Sequence, residues 1–292
     1  MIEIKARPML QTNTICQYDC NLCVTEIARK SFPKYQLSIK ALKNFLQASE
    51  DSGYCYKNGI WLNGFGEPLL WENLNEGIDL MHESPSINGI YIRSNGLSYR
   101  KLTKESFKKI NLSISLYAGS NDHIIPEIND FFKTNVEVVR EEGYNHSPDP
   151  TKIPIKIPCH CVCHGPTIIE DHIILPCGSV IFEKETLLRA VKYGLMKTED
   201  FASLLNMDYM GMIEYAKQFM GESLVVKIEN NYLDQADKNL YQKIINDNGE
   251  RAYKACSICR GNGNGLQGHP RRVPIDPKNT RKEIYKKNPL DE

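Results

Sequence analysis

Strand-like and helix-like patterns alternate over the first 140 residues of this 292-residue chain, and that rhythm restricts its fold more than any other feature. Residues 38–49 open with Ser38 as an N-cap and set Ile39, Leu42, Phe45 and Leu46 on one helical face. Residues 8–14 (PMLQTNT), which lead into the cysteine loop, count as the first strand, and residues 59–63, 89–94, 112–117 and 135–140 read as the second to fifth. Residues 71–83 and 121–133 read as helices, and Thr103 caps a short helix reaching Ile110. Strands that alternate with helices build a parallel sheet with right-handed crossovers. The expected fold class is therefore α/β, a partial (β/α) TIM-like barrel of five units.

The rhythm then breaks. Residues 141–152 (EEGYNHSPDPTK) are rich in turn formers and cannot supply a crossover helix. The run 153–158 (IPIKIP) alternates with prolines and suits an edge. Ile168-Ile169 and Ile173-Ile174-Leu175, separated by Glu170-Asp171-His172, read as a β-hairpin ending at Pro176-Cys177-Gly178. Helical segments are expected to fill 183–248, with Thr198 and Asp208 as caps. The domain reading is a barrel over 1–158, a hairpin-plus-helix module over 159–262 and a basic tail over 263–292.

Lys plus Arg and Asp plus Glu are both 36, so no net charge draws the whole chain toward nucleic acid or a membrane. No stretch is long and apolar enough for a membrane span, and no export signal is visible. The expectation is a cytoplasmic protein with no membrane partner. Ten cysteines in such a chain point to metal or cluster ligation rather than to disulfides.

Cys16, Cys20 and Cys23 form a C-x3-C-x2-C array (CQYDCNLC). Each iron of a [4Fe–4S] cluster normally takes one thiolate, so three cysteines leave one iron open to a small molecule. The competing reading is zinc, whose sites usually pair one C-x2-C with another. Gly64-Phe65-Gly66-Glu67-Pro68 follows the second predicted strand, at the strand end where α/β folds bind ligands. Glycine there lets a ligand approach the backbone closely.

These two motifs, in this order, resemble those of the radical S-adenosylmethionine (radical SAM) enzymes, although Leu22 stands where that family often has an aromatic residue. The resemblance implies that Cys16, Cys20 and Cys23 ligate a [4Fe–4S] cluster whose open iron chelates SAM. It implies that Gly64, Gly66, Glu67 and Pro68 seat the SAM amino group. Ser94, in a polar Ser94-Asn95-Gly96 turn, and Ser115, with Ser113 as its alternative, match positions that line the SAM pocket. Arg140, at the end of the fifth strand, pairs with the SAM carboxylate or is a surface arginine. The reduced cluster would cleave SAM to a 5′-deoxyadenosyl radical that takes a hydrogen atom from a substrate.

Cys163 and Cys177 on the hairpin, with Cys256 and Cys259 about eighty residues later, resemble the "twitch" module, a short form of SPASM that holds an auxiliary [4Fe–4S] cluster. A structural zinc site from the same four residues is the alternative. Cys159, Cys161 and Cys163 share one strand face over about 13 Å, so one cluster corner cannot use all three, and Cys161 or Cys159 can replace Cys163. The implied activity is oxidation of a peptide or small polar metabolite, with reduced flavodoxin or ferredoxin as electron donor. The alternatives are radical modification of a nucleotide or nucleic acid, suggested by the basic tail, and a non-catalytic zinc protein that binds nucleic acid.

Overall fold

Alternate residues along the central strands divide between two faces, and that division sets the architecture. The computed structural model describes residues 1–4, 7–20, 29, 34–63, 65–116, 121–140, 166–175, 191, 197, 199, 209–239 and 274–275. The first half contains β1 (Ile2–Ile4), β2 (Met9–Gln11), β3 (Asp19–Cys20), α1 (Ile39–Asp51), β4 (Tyr54–Tyr56) and β5 (Ile60–Asn63). It continues with α2 (Leu74–Glu83), β6 (Ile90–Ser94), α3 (Lys104–Phe107), β7 (Asn111–Leu116), α4 (Ile124–Phe132) and β8 (Glu137–Arg140). The hairpin β9 (Thr167–Ile169) and β10 (His172–Ile174), α5 (Tyr209–Met220), β11 (Val225–Lys227) and β12 (Pro274–Ile275) follow.

The main sheet has eight strands in the order β11-β10-β9-β2-β5-β6-β7-β8. From β9 to β8 every neighbouring pair is parallel. β10 and β11 join antiparallel at the other side. The chain is thus a mixed α/β fold with a parallel-rich sheet, and among the described residues β8 and β11 are the sheet's two edges. The hairpin expected to begin a separate module hydrogen-bonds to β2, so the sheet runs without a break from the first strands into it. The expected boundary at residue 158 lies outside the described residues.

One face is apolar. Leu10, Ile60, Leu62, Ile90, Ile92, Leu112 and Ile114 are buried in one cluster with Leu42 and Phe45 of α1, Ile78 and Met81 of α2, and Ile128 of α4. Burying each such side chain contributes about 1.5–3 kcal/mol, which explains the strict period of two in β6, where Ile90 and Ile92 are buried and Tyr91 and Arg93 are half-buried. The expected caps are present. Ser38 accepts the N–H of Ala41 at 3.1 Å, and Thr103 accepts that of Ser106 at 3.1 Å.

Two features depart from the sequence reading. Residues 183–248 were expected to be helical, yet Val225–Lys227 is a strand paired with β10. α5 ends before Gly221, whose φ of +105° turns the chain, and the β-branched Val225 and Val226 then complete the hairpin's open edge. The second departure is a small parallel sheet of β1 and β4. Its Tyr56 hydroxyl hydrogen-bonds at 2.7 Å to the hydroxyl of Tyr232, tying the C-terminal half to the core. β12 pairs antiparallel with β3, setting Pro274 opposite Cys20. Among the described residues no helix is long and apolar enough to cross a membrane.

Candidate active site at the carboxyl ends of the strands

The segment that leads into the cysteine loop is clamped at both of its ends. Thr12 donates its N–H to Asn63 O at 3.1 Å, and Leu37 N–H returns to Thr12 O at 2.8 Å. Asn13 forms a bridge with Gln36, and the N–H groups of Thr14 and Tyr35 are held by Tyr35 O and Thr14 Oγ1. The chain between these anchors, which carries all three cysteines, starts and finishes at one place. The returning strand is fixed in turn, because Trp71 donates Nε1–H to Leu37 O at 2.8 Å. Tyr35, whose hydroxyl accepts the Glu170 N–H at 3.0 Å, has its ionisation pushed well up by burial and then by the Glu170 charge.

The Gly-Phe-Gly-Glu-Pro turn packs directly on this clamp. Gly66 N–H donates to Asn13 O at 2.8 Å, and Glu67 N–H to Ile15 O at 2.6 Å. The Asn13 side chain returns a hydrogen bond to Glu67 O at 2.8 Å and accepts the Ile15 N–H at 2.8 Å. A Cβ at Gly66 would stand 2.1 Å from Ile15 O, so only glycine permits this approach.

Glu67 is 3 % exposed, and three donors meet its carboxylate. Ser94 Oγ lies 2.6 Å away and Leu69 N 3.0 Å away, both at Oε1, and Asn95 N lies 2.9 Å from Oε2. Burial pushes its pKa above the ordinary value, and the hydrogen bonds from Ser94, Asn95 and Leu69 oppose that shift. Ser94 also accepts the Gly96 N–H at 2.8 Å, and Gly96 adopts φ +81° against Ile124. Pro68 is buried at the start of a short 3₁₀ turn that Glu67 caps.

Asn95 connects this group to the first cysteine. Its Nδ2 lies 3.9 Å from Cys16 Sγ and 3.3 Å from Gln17 Oε1. Gln17 in turn hydrogen-bonds to Ser98 Oγ. Asn121 donates to Asn95 O and to Ser115 O, each at 2.8 Å, locking the turns after β6 and β7 together. N–H groups directed at ligand sulfurs tune iron–sulfur sites, so Asn95 suits a cluster-ligating Cys16.

Cys16, Gly66, Glu67, Pro68, Ser94 and Ser115 therefore converge at the carboxyl ends of β2, β5, β6 and β7. Glu67 and Ser94 hold each other and their turns. Cys20 lies in β3, and Arg140 lies in β8 opposite Leu116. Cys23, Gly64, Cys159, Cys161, Cys163, Cys177, Cys256 and Cys259 lie outside the described residues. Among the described residues no three His, Cys, Asp or Glu side chains form a metal-sized group. Asn13, Gln17 and Asn121 were not singled out from sequence, since an isolated amide carries no spacing signal.

No family model matches the chain, and no curated protein matches it. Two solved structures of BtrN, a radical SAM enzyme, are similar to parts of it. The first, in complex with AdoMet and 2-DOIA, has 19 % identity and a TM-score of 0.39 over 48 % of this chain and 58 % of that chain. The second, in an open conformation, has 14 % identity and a TM-score of 0.39 over 81 % of this chain and 91 % of that chain. The chain thus spans little more than half of the first structure and most of the second. Both likenesses are distant.

Proposed function

We propose that this protein is a radical SAM enzyme built on a partial (β/α) barrel. The observation that carries the reading is the joining of the cysteine loop to the Gly-Phe-Gly-Glu-Pro turn through Asn13, Ile15, Gly66 and Glu67, with Asn95 at Cys16. A three-thiol loop beside a close-packed glycine turn, at the ligand-binding ends of parallel strands, is a donor set that fits a site-differentiated [4Fe–4S] cluster. Cys16, Cys20 and Cys23 would hold the cluster. Bound there with SAM, it supplies reductive cleavage of the sulfonium and thereby a hydrogen-abstracting radical. Gly66 lets the turn that would seat SAM pack directly on the Ile15 backbone of the cysteine segment. Asn95 directs an N–H at Cys16, and Ser115 and Arg140 are the residues that would meet the SAM ribose and carboxylate.

The finer reading adds a twitch-like module with an auxiliary [4Fe–4S] cluster held by Cys163, Cys177, Cys256 and Cys259, giving net oxidation of a peptide or small polar metabolite. A reduced flavodoxin or ferredoxin supplies the first electron. The support is the order of a hairpin, a helical segment and C-x2-C in the sequence.

Iron and sulfide analysis with EPR on anaerobically reconstituted protein tests both levels. About eight irons per chain and a reduced-cluster signal that changes with SAM are expected. The Cys16→Ala, Cys20→Ala, Cys23→Ala triple variant should retain about four irons and lose SAM cleavage. Persistent cleavage in that variant overturns the assignment of the cluster to Cys16, Cys20 and Cys23, and zinc alone with no iron in the wild type overturns the enzyme reading. Four irons in the wild type, with a SAM-sensitive signal, removes the auxiliary cluster alone.

A further inference from the structure

The face of the main sheet turned away from α1, α2 and α4 carries polar atoms that the fold leaves without partners. Met9 pairs in register with both Thr167 and Trp61, Gln11 with Asn63, Trp61 with Tyr91, and Arg93 with Ser113. Thr167, Gln11, Trp61 and Arg93 therefore share one face of the adjacent strands β9, β2, β5 and β6. Thr167 Oγ1, Gln11 Oε1, Trp61 Nε1 and Arg93 Nε are all buried and, among the described residues, have no hydrogen-bond partner. Gln11 is 1 % exposed and Thr167 0 %, so bulk solvent does not serve them. Native proteins seldom leave such atoms unmet, and four on one continuous face call for a ligand or bound water.

The charge on this face is positive at the same place. The Arg93 guanidinium lies 5.7 Å from the Trp61 ring centroid and has no acidic partner among the described residues. Arg7 stacks on Tyr91 at 4.0 Å, and Tyr91 stacks on Trp61 at 6.2 Å. Arg7 Nε donates to Asn58 O at 2.6 Å, whereas Arg93 Nε is the buried guanidinium donor of this face that lacks a partner among the described residues. The acidic residue of this face, Glu137, pairs with Ser113 on the far side of β7 and is exposed. Arg93 directly precedes Ser94, and Gln11 precedes the segment that ends at Cys16, so this surface lies just below the candidate active site.

We propose that this face binds the substrate and that Arg93 selects one bearing an anionic oxygen group, a carboxylate or a phosphate. Arg93 binds that group by charge-assisted hydrogen bonds. Trp61 Nε1 donates to a further acceptor, and Gln11 Oε1 accepts from a hydroxyl or amine of the same molecule. The word substrate rests on the enzyme reading above; the anion site does not.

Calorimetric titration of the full-length reconstituted protein with inorganic phosphate, and separately with acetate, at fixed ionic strength tests the site. Saturable binding of at least one anion is expected, with about tenfold or greater weakening in Arg93→Gln and partial recovery in Arg93→Lys. The anion that binds names the group. No saturable binding of either, or equal affinity in a folded Arg93→Gln, overturns the proposal. If Arg93→Gln does not fold, tryptophan fluorescence of the wild type carries the test. Its anion-dependent change must vanish in Trp61→Phe, because Trp71 is bonded to Leu37 O; a change that survives places the anion elsewhere and overturns the proposal. SAM cleavage without substrate, measured on the same samples, separates the two ideas. Cleavage without anion binding removes only this inference, and anion binding at Arg93 without cleavage upholds it while removing only the enzyme reading.

Discussion

Ser94 donates its hydroxyl to Glu67 Oε1 at 2.6 Å, a bond between two buried side chains that ties the turn after β5 to the end of β6. Glu67→Gln keeps the shape and loses one acceptor oxygen, so the Asn95 N–H or the Ser94 hydroxyl faces an amide. The expected cost is about 1–3 kcal/mol of stability, read from denaturant unfolding. Because burial raises the folded pKa of Glu67 above its ordinary 4.5, the carboxyl's contribution to stability is full below that value and is lost as pH rises through the folded pKa. The variant has no such titration. Wild type and variant should therefore differ in the slope of stability against pH just above 4.5, and parallel curves there would show that the Glu67 carboxyl is not shifted.

Gly66→Ala would put a methyl 2.1 Å from Ile15 O, a backbone atom that cannot move without shifting the segment before Cys16. Destabilisation of about 1–3 kcal/mol is expected, with a drop in iron retained after reconstitution. Full iron content and an unchanged melting temperature would show that the turn does not press on the cysteine loop.

Glu170, at φ +47° in the hairpin turn, accepts the Ser38 hydroxyl at 2.6 Å and the Ser38 N–H at 3.3 Å, adding a carboxylate to the N-terminus of α1. Glu170→Ala should cost about 0.5–2 kcal/mol through lost capping. The effect should shrink in a Ser38→Ala background, and simple additivity in thermal unfolding would mean that the two side chains act separately.

Tyr56 and Tyr232 lie 176 residues apart and share a buried hydrogen bond. A double-mutant cycle with Phe at each position should give a coupling of about 0.5–1.5 kcal/mol. A coupling near zero would mean that aromatic packing alone, as between Tyr54 and Tyr232, docks this segment.

Pairing of β12 with β3 sets Pro274 and Ile275 beside Cys20 and Asp19. Removing residues 270–292 should hasten iron release to a chelator in air, with little change in global unfolding. An unchanged release rate would make the pairing irrelevant to the cluster.

Much of the first half was determined by sequence alone, because its signals are local. The apolar spacing of Ile39, Leu42, Phe45 and Leu46, the caps Ser38 and Thr103, and the alternation in β6 and β7 each express a preference of neighbouring residues. The cysteine spacing and the Gly-Phe-Gly-Glu-Pro turn likewise marked the candidate site. Tertiary structure decided what depends on partners far along the chain. Val225–Lys227 becomes a strand because β10 offers an open edge. Glu67 and Ser94 turn inward because each satisfies the other's buried polar atoms, and Asn121 matters because two carbonyls from separate turns meet there. Arg93 reads in sequence as an ordinary polar strand position. Only the register of β6 between β5 and β7 sets it beside Trp61, on the face that carries the unpartnered atoms of Gln11 and Thr167.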